Sequence, residues 1–337
     1  MFFPVELALS SSNLRVRLLD SSNRGQIEIF SLMWNLATPS GLSGAVRHTA
    51  AFIKPNKIVR DLCGLPAVLG RFGPFEVRLA TTSREIRKAQ RLRFAVFFEE
   101  GHAIPQHRAA LTRRDICPFD KICDHLLVVD KDQRNRFGRK KPKIVGVYRL
   151  LRGDTAASRQ GFYSETEFDI APMLARHPGK RFLELGRSCV HPQYRSKRVI
   201  ELLWRGLWVY AKHHRIDVLI GCASLPGVDP LALALPLSFL HRHALADAEW
   251  RVRPLAARGV EMAIMDAAAI DARKGVAALP PLLKAYLRAG AKFGDGAVID
   301  AQFGTTDVFT IMPLGDMEDR YLNYYGGPME APGSYVA

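Results

Sequence analysis

The amino-acid sequence predicts an α/β (α+β) fold in which a central mixed sheet is flanked by helices. Two observations favour this fold class. Short apolar runs typical of strands alternate with longer segments of helical periodicity, in the order strand, helix, three strands, helix, strand. The chain also has 337 residues of which 48% are hydrophobic, which is enough to build a large core.

The elements are predicted in chain order from residue 75 onward. Regular alternation at residues 75–79 indicates a strand, and Thr82 and Glu85 follow at the spacing of a capping box, so a helix is expected over about 83–98. Apolar runs predict further strands at 125–129, 144–151, 182–190, 218–223 and 307–313. Helical spacing predicts helices at about 197–214, 230–243 and 279–292.

Composition along the chain suggests one main domain with extensions. Residues 1–73 are rich in Ser, Pro and Gly and are interpreted as a weakly structured N-terminal extension, residues 74–325 as the main domain, and residues 326–337 as a C-terminal tail. The first residues lack a basic segment followed by an apolar run, so no secretory signal is expected. The five scattered cysteines indicate a reducing compartment, and a cytoplasmic location is therefore expected.

The charge is strongly basic, with 48 Lys and Arg against 33 Asp and Glu. A balance of +15 predicts attraction to nucleic acid, to anionic lipid or to an acidic protein. Six basic residues are concentrated between two predicted strands: Arg134, Arg136, Arg139, Lys140, Lys141 and Lys143. This segment is either a solvated hairpin loop or a contact for an anionic partner, and its single aromatic residue, Phe137, argues against nucleic acid.

Charged residues interrupt the apolar pattern at three places before residue 150. Arg93 lies on the apolar face of the first helix, near Phe97. It needs an anion, either a substrate carboxylate or one of the aspartates described next, unless it reaches solvent from the rim of the core. Asp120 and Asp124 precede a strand, where they either form turns or bind a cationic amine. Arg149 lies inside an apolar strand and is either functional or at the rim.

The segment 182–195 carries the strongest signal. Alternation places Glu184 and Gly186 on one face of the strand and Arg187 on the other, while Gly186 suggests a bulge that would bring Glu184 and Arg187 closer together. The alternative is an ion pair on an edge strand. Arg195, Ser196, Lys197 and Arg198 then open a helix, where exposed amides and basic side chains favour a phosphate or pyrophosphate.

These residues resemble known acyltransferases. The run 195–200 is similar to the acyl-donor loop of the GCN5-related N-acetyltransferase fold, with Arg195 matching and Arg198 and Ile200 at its glycine positions. The run 93–97, the two aspartates and the run 184–187 resemble the acyl-homoserine-lactone synthases, in the same order. Longer stretches, at 183–205, 234–251 and 303–314, resemble the ornithine-lipid L-ornithine N-alpha-acyltransferases and their hemolysin-like relatives, and this similarity spans about 75–325.

The resemblance implies an N-acyltransferase that moves a 3-hydroxyacyl chain from acyl carrier protein to the α-amine of L-ornithine, giving lyso-ornithine lipid. No metal or cofactor is expected, because the phosphopantetheine of the carrier arrives as a co-substrate. Glu184 is expected to act as the base, with Arg187 beside it. Asp120, Asp124, Arg93, Phe97 and Arg149 are expected to bind the amino acid, and Arg195, Ser196, Lys197 and Arg198 to bind the acyl donor.

Partners follow from the same expectation. They are acyl carrier protein, an amino acid and, through residues 139–141 and 231–240, the anionic inner membrane surface, with no nucleic acid. Two alternatives remain open: an acyl- or acetyl-CoA-dependent transferase acting on another amine, and a basic membrane-binding protein without catalysis.

Overall fold

A computed structural model of the chain describes residue 62 and residues 64–316. Its centre is a nine-stranded sheet with the order β1-β2-β3-β4-β6-β7-β11-β10-β9, and β5 and β8 pair separately. The strands are β1 (Gly70–Phe72), β2 (Phe75–Leu79), β3 (Asp124–Asp130), β4 (Lys143–Arg152), β5 (Phe168–Asp169), β6 (Phe182–Val190), β7 (Val218–Pro226), β8 (Arg253–Pro254), β9 (Gly259–Val260), β10 (Lys292–Asp300) and β11 (Thr305–Pro313). The mixed sheet predicted from the sequence is confirmed.

Helices cover both faces of this sheet. They are α1 (Ser83–Phe94), α2 (His107–Thr112), α3 (Gly153–Ala157), α4 (Ala171–Arg176), α5 (Lys197–His213), α6 (Ala234–Ala244), α7 (Ala272–Ala278) and α8 (Pro281–Arg288). The α1 side, here called the first face, includes Leu127, Val129 and Val147. The α5 side, the second face, includes Leu126, Val128 and Leu150. This alternation follows from the period of two along a strand.

The sheet opens between β6 and β7. These strands run parallel and pair only at residues 182–184 and 218–220, whereas β7 pairs with β11 along its whole length. Gly221 lies at the opening, where a Cβ atom would clash with the Leu185 carbonyl oxygen. A side chain is therefore excluded at the point where the two strands separate.

The start of α1 shows one half of the predicted capping box. Thr82 is the N-cap, and its hydroxyl accepts from the Glu85 amide at 3.2 Å. The Glu85 carboxylate accepts from the Thr81 amide at 2.9 Å, one residue before the N-cap, and from the Thr82 hydroxyl at 3.3 Å. The helix continues as a π-helical turn, Ala95–Glu100, so the helical segment extends two residues beyond the predicted end.

Two predictions about the fold need correction. The predicted helix at 279–292 ends at Arg288, because Gly290 has φ +92° and Lys292 already begins β10, a strand that the sequence pattern did not indicate. The boundary at residue 73 falls inside a hairpin, since β1 pairs with β2. Residues 1–61 of the predicted extension and the tail 326–337 lie outside the described residues. Within the described part of the chain, no helix has the length and hydropathy required to cross a membrane.

Candidate active site

Polar side chains gather on the first face of the sheet beside the opening between β6 and β7. Glu184 is the last residue of β6 that pairs with β7, opposite Ile220, and on its other side it pairs with Leu151 of β4. Neighbours in register share a face, so the side chains of Glu184, Cys222 and Asp307 lie on the same side of the sheet.

Glu184 is buried, with 5% of its surface exposed, and both of its oxygens accept hydrogen bonds. Its Oε2 accepts from the Tyr163 amide at 2.8 Å, and its Oε1 accepts from the Ser164 amide at 2.7 Å and the Ser164 hydroxyl at 2.6 Å. Burial raises the pKa of Glu184, against the opposing effect of these three donors. The carboxylate is thus held rigidly and takes up a proton more readily than an exposed glutamate.

The predicted bulge is present. Register shifts between the β4–β6 pairs Val147–Cys189 and Arg149–Gly186, and Arg187 has φ +53°. The bulge does not bring Arg187 to Glu184, and these two described residues form no ion pair, contrary to the predicted positioning role. The Arg187 Nε instead lies 3.6 Å from Asp115 Oδ2.

Arg93 is fully engaged within the protein. Its side chain is 1% exposed, its Nε donates to Asp115 Oδ2 at 2.7 Å, and its Nη2 donates to Asp120 Oδ2 at 2.7 Å. Gln90 Nε2 also donates to Asp120 Oδ2, at 2.8 Å. Burial works to raise the pKa of Asp120, but the Arg93 guanidinium prevails and holds it well below its usual range. Arg93 and Asp120 therefore stabilise each other, which differs from the substrate-binding roles predicted for them.

Arg149 and Arg187 retain hydrogen-bonding capacity. Arg149 Nη1 and Arg187 Nε are buried and donate to no protein acceptor within the described residues, although Arg149 Nη1 lies 3.6 Å from Asp120 Oδ1. Both guanidinium groups lie over the Tyr163 ring, at 5.4 and 5.2 Å from its centroid. Two buried arginines around one aromatic ring can bind a carboxylate.

Asp124 lies on the opposite face of the sheet. It pairs in register with Leu150, and its Oδ2 accepts from the hydroxyl of Tyr210 on α5 at 2.7 Å. Asp120 belongs to the preceding 3₁₀ turn, Pro118–Lys121, on the side of Arg93. The expectation that the two aspartates bind one cation is therefore wrong.

Phe97 lies at the edge of the site, where it packs against Phe303 of the β10–β11 loop. Its ring meets Phe303 edge-on with the centroids 6.0 Å apart, and Arg187 lies over Phe303 at 4.4 Å. Phe97 is therefore connected to the arginine side of the site by a single intervening ring.

The predicted donor loop lies at the start of α5. Ser196 is the N-cap, and Lys197 is exposed, 3.6 Å from Glu201. Arg195 makes a bidentate ion pair with Glu100, at 2.6 and 2.7 Å, and Arg198 lies over the Phe72 ring at 4.7 Å. The Val199 amide in the first turn donates to the Ser196 hydroxyl at 3.4 Å, and Arg195 and Arg198 make contacts within the protein.

A groove with a basic lining lies beside this loop. It has a volume of about 720 Å³, and Asp and Glu are absent from its described lining. Its charged residues come from α1 and from the β3–β4 hairpin: Lys88, Arg91, Arg134, Arg136, Lys141 and Lys143. Lys143 Nζ lies 3.1 Å from His191 and 5.1 Å from the Tyr194 ring, so the groove continues towards α5.

Several site residues were not predicted. Ser164 holds Glu184, and Cys222 Sγ lies 3.5 Å from the Ser164 hydroxyl. Burial raises the pKa of Cys222 well above its usual value, which opposes a nucleophilic thiolate. A group of three carboxylates, from Glu167, Asp300 and Asp307, was not predicted either, because Glu167 lies far from the other two in sequence.

The apolar segment 231–240 is mostly part of the core. Leu237 and Leu240 are fully buried on α6, and Leu231 is 75% exposed. A membrane contact along the whole segment is therefore wrong, since only its first residues, near Leu231, reach solvent.

Comparison with known proteins yields one family model and several close relatives. The model of the acetyltransferase (GNAT) domain matches residues 92–205, which include Arg93, Asp120, Glu184 and the first part of α5. The L-ornithine N(alpha)-acyltransferase of Agrobacterium fabrum is 52% identical over 263 residues, covering 78% of this chain and 89% of the relative. The enzyme of the same name from Rhizobium meliloti is 50% identical, covering 80% of this chain and 91% of the relative. The enzyme of this name from Rhodobacter capsulatus is 40% identical, covering 77% of this chain and 97% of the relative.

Proposed function

The chain belongs to the family of L-ornithine N(alpha)-acyltransferases, and we propose that it transfers a 3-hydroxyacyl chain from acyl carrier protein to the α-amine of L-ornithine. The product is lyso-ornithine lipid. The observation that carries this proposal is the 52% identity to a relative of that name over 89% of the relative's length.

The acceptor is an amino acid, and the arrangement of charge at the site suits one. The guanidinium groups of Arg149 and Arg187 supply donors for its carboxylate. Glu184 lies on the same face of the sheet and supplies the acceptor for a proton. Opposite charges on one face orient a zwitterion and fix the position of its α-amine.

Glu184 receives that proton through Ser164. Of the three donors on Glu184, only the Ser164 hydroxyl can exchange its proton, because the others are backbone amides. The ammonium gives one proton to the Ser164 oxygen while the hydroxyl proton passes to Glu184. The neutral amine then attacks the thioester carbonyl, a C–N bond forms, the C–S bond breaks, and the leaving thiolate takes up the second amine proton.

The donor reaches this point from the side of α5. The amides at the start of α5 suit the phosphate of the carried phosphopantetheine, and the opening between β6 and β7 can admit its arm. The basic groove at Lys88 and Arg91 lies on the α1 side, reaches His191 just ahead of α5, and complements an acidic carrier protein. These features support a protein-bound donor over free acetyl-CoA.

The deciding experiment is incubation of the purified enzyme with 3-hydroxyacyl carrier protein and L-ornithine, followed by mass analysis. The expected product is the mono-acylated α-amide, formed much faster than with acetyl-CoA. Comparable turnover with acetyl-CoA would favour the CoA-dependent alternative. Lack of any acylated amine with either donor would reject the proposal.

The amphiphilic product also suggests peripheral contact with an anionic membrane. Arg139, Lys140 and Lys141 are exposed on the β3–β4 hairpin, and Leu231 is exposed at the other candidate segment. Each basic residue near an anionic leaflet contributes about 1 kcal/mol, so three are enough for reversible binding.

A further inference from the structure

Three carboxylates converge on the first face of the sheet beside Glu184. Glu167 follows the 3₁₀ turn that contains Ser164, Asp300 ends β10, and Asp307 lies on β11. One oxygen from each lies within 4.8 Å of the others. Glu167 is 2% exposed and Asp307 is 7% exposed, whereas Asp300 is only half-buried and gives the group access from outside.

This acidic group has unused acceptors. Asp300 Oδ1 accepts from two backbone amides, and Asp307 Oδ1 accepts from the Thr305 hydroxyl at 2.8 Å. Glu167 Oε2 is buried and receives no hydrogen bond from the described residues. No described Lys, Arg or His forms an ion pair with any of the three. Burial of negative charge without an ion-pair partner is unfavourable, so the group is suited to a cation brought by a ligand.

The pKa values of the buried carboxylates also reflect the lack of a neighbouring cation. Burial raises the pKa of Glu167 to about 7, and the Asp307 carboxylate adds to the effect. Burial likewise raises the pKa of Asp307, while Arg187 acts in the opposite direction. A bound cation would relieve this repulsion and lower both pKa values, because it favours the charged carboxylates.

The acidic group is connected to the base. Asp307 pairs in register with Ser224 of β7, two residues from Cys222 on the same face. Cys222 Sγ contacts the Ser164 hydroxyl, which donates to Glu184. The acidic group therefore lies on the same face of the sheet as Glu184, and Cys222 of β7 lies between them.

We propose that Glu167, Asp300 and Asp307 bind the second, side-chain ammonium of a diamino-acid acceptor. The spacing supports this assignment, because an ammonium that donates to three oxygens at about 2.8 Å in tetrahedral directions places them about 4.6 Å apart. The assignment rests on the proposed ornithine acceptor and adds the residues that would distinguish ornithine from an apolar amino acid of the same length.

The test compares L-ornithine with L-norvaline, which has the same carbon chain but lacks the side-chain amine. Calorimetric titration without acyl donor gives the two dissociation constants, and kinetics with loaded carrier gives the two kcat/KM values. Glu167→Gln removes one charge at nearly constant shape. It should reduce the preference for ornithine over norvaline by roughly 10- to 150-fold, the range for a hydrogen bond to a charged group, and leave norvaline kinetics little changed.

The matched control is Asp295→Asn, on the same strand as Asp300 but paired with Arg253 outside the group. It should keep the wild-type preference. Asp307→Asn provides a second variant if Glu167→Gln does not fold, as judged by its thermal unfolding. Equal losses with both acceptors, or an unchanged preference in folded variants, would overturn the assignment while leaving the proposed function intact.

Two further outcomes are distinguishable. If wild-type enzyme acylates ornithine and norvaline equally well, or neither, the proposed ornithine acceptor itself fails. If magnesium or calcium binds the wild-type enzyme tightly, is lost with Glu167→Gln, and competes with ornithine for binding, the group is a metal site and the ammonium assignment is overturned.

Discussion

Replacement of Arg93 by methionine tests whether this arginine stabilises the fold. The structure places Arg93 between two buried carboxylates, with its Nε 2.7 Å from Asp115 and its Nη2 2.7 Å from Asp120. Methionine fills similar space without charge and leaves both carboxylates short of a partner. We therefore expect a large loss of stability in Arg93→Met.

The magnitude follows from the remaining contacts. Removing one member of a buried ion pair typically costs about 3–5 kcal/mol. In the variant, Asp120 would retain Arg149 at 3.6 Å and Asp115 would retain Arg187 at 3.6 Å, so the lower end of that range applies. At about 2–4 °C per kcal/mol for a domain of this size, 3 kcal/mol lowers the melting temperature by roughly 6–12 °C.

The assay is urea unfolding of wild type and Arg93→Met at pH 7, followed by circular dichroism. The folded-state pKa of Asp120 is lowered, so its contribution is present above the ordinary carboxylate pKa of about 4 and is lost as pH falls through the folded-state value. The difference in the free energy of unfolding between wild type and Arg93→Met should therefore become smaller below pH 4. Asp120→Asn in the Arg93→Met background should recover part of the loss. A loss below about 1 kcal/mol at pH 7 would refute this reasoning.

Three further predictions concern chemistry and partners. Glu184→Gln should lower kcat by roughly two to four powers of ten, as expected for loss of a general base, with little change in the KM for ornithine; near-normal turnover of the folded variant would contradict this role. Lys88→Glu combined with Arg91→Glu should raise the KM for loaded carrier protein more than that for a small thioester analogue, whereas equal losses would argue against docking in the groove. Sedimentation with vesicles should require anionic lipid and should weaken in high salt, and binding that is indifferent to both would argue against contact through the hairpin.

Sequence periodicity correctly predicted strands that have proline or glycine residues at their ends. The strand 182–190 was placed correctly, because its apolar run lies between Pro178-Gly179 and Pro192. The pattern failed at β10, where Gly294, Asp295 and Gly296 interrupt the alternation. The segment has a weak local preference for a strand, and pairing with β11 compensates for it. Such pairing cannot be predicted from the sequence of one segment alone.

The site was predicted only where its members are neighbours in sequence. Glu184, Gly186 and Arg187 were identified together, and the bulge followed from the glycine. Ser164, the partner of Glu184, lies 20 residues upstream in a 3₁₀ turn and carries no local signal. Asp120 and Asp124 show the opposite error, because they are close in sequence and were predicted to act together. The chain changes from turn to strand between them, so their side chains lie on opposite faces of the sheet.

The position of β11 has a consequence for synthesis of the protein. Among the strands of the described residues, β11 is the last to leave the ribosome, yet it is inserted between β7 and β10 and pairs with β7 from Thr305 to Pro313. Until residue 313 emerges, one edge of β7 has no strand to pair with, and an exposed apolar edge is a site of aggregation for nascent chains. A chain truncated before Thr305 would lack Asp307 and leave β7 open on that edge. Premature termination just before Thr305 should therefore yield insoluble protein, even though about nine-tenths of the chain has been made.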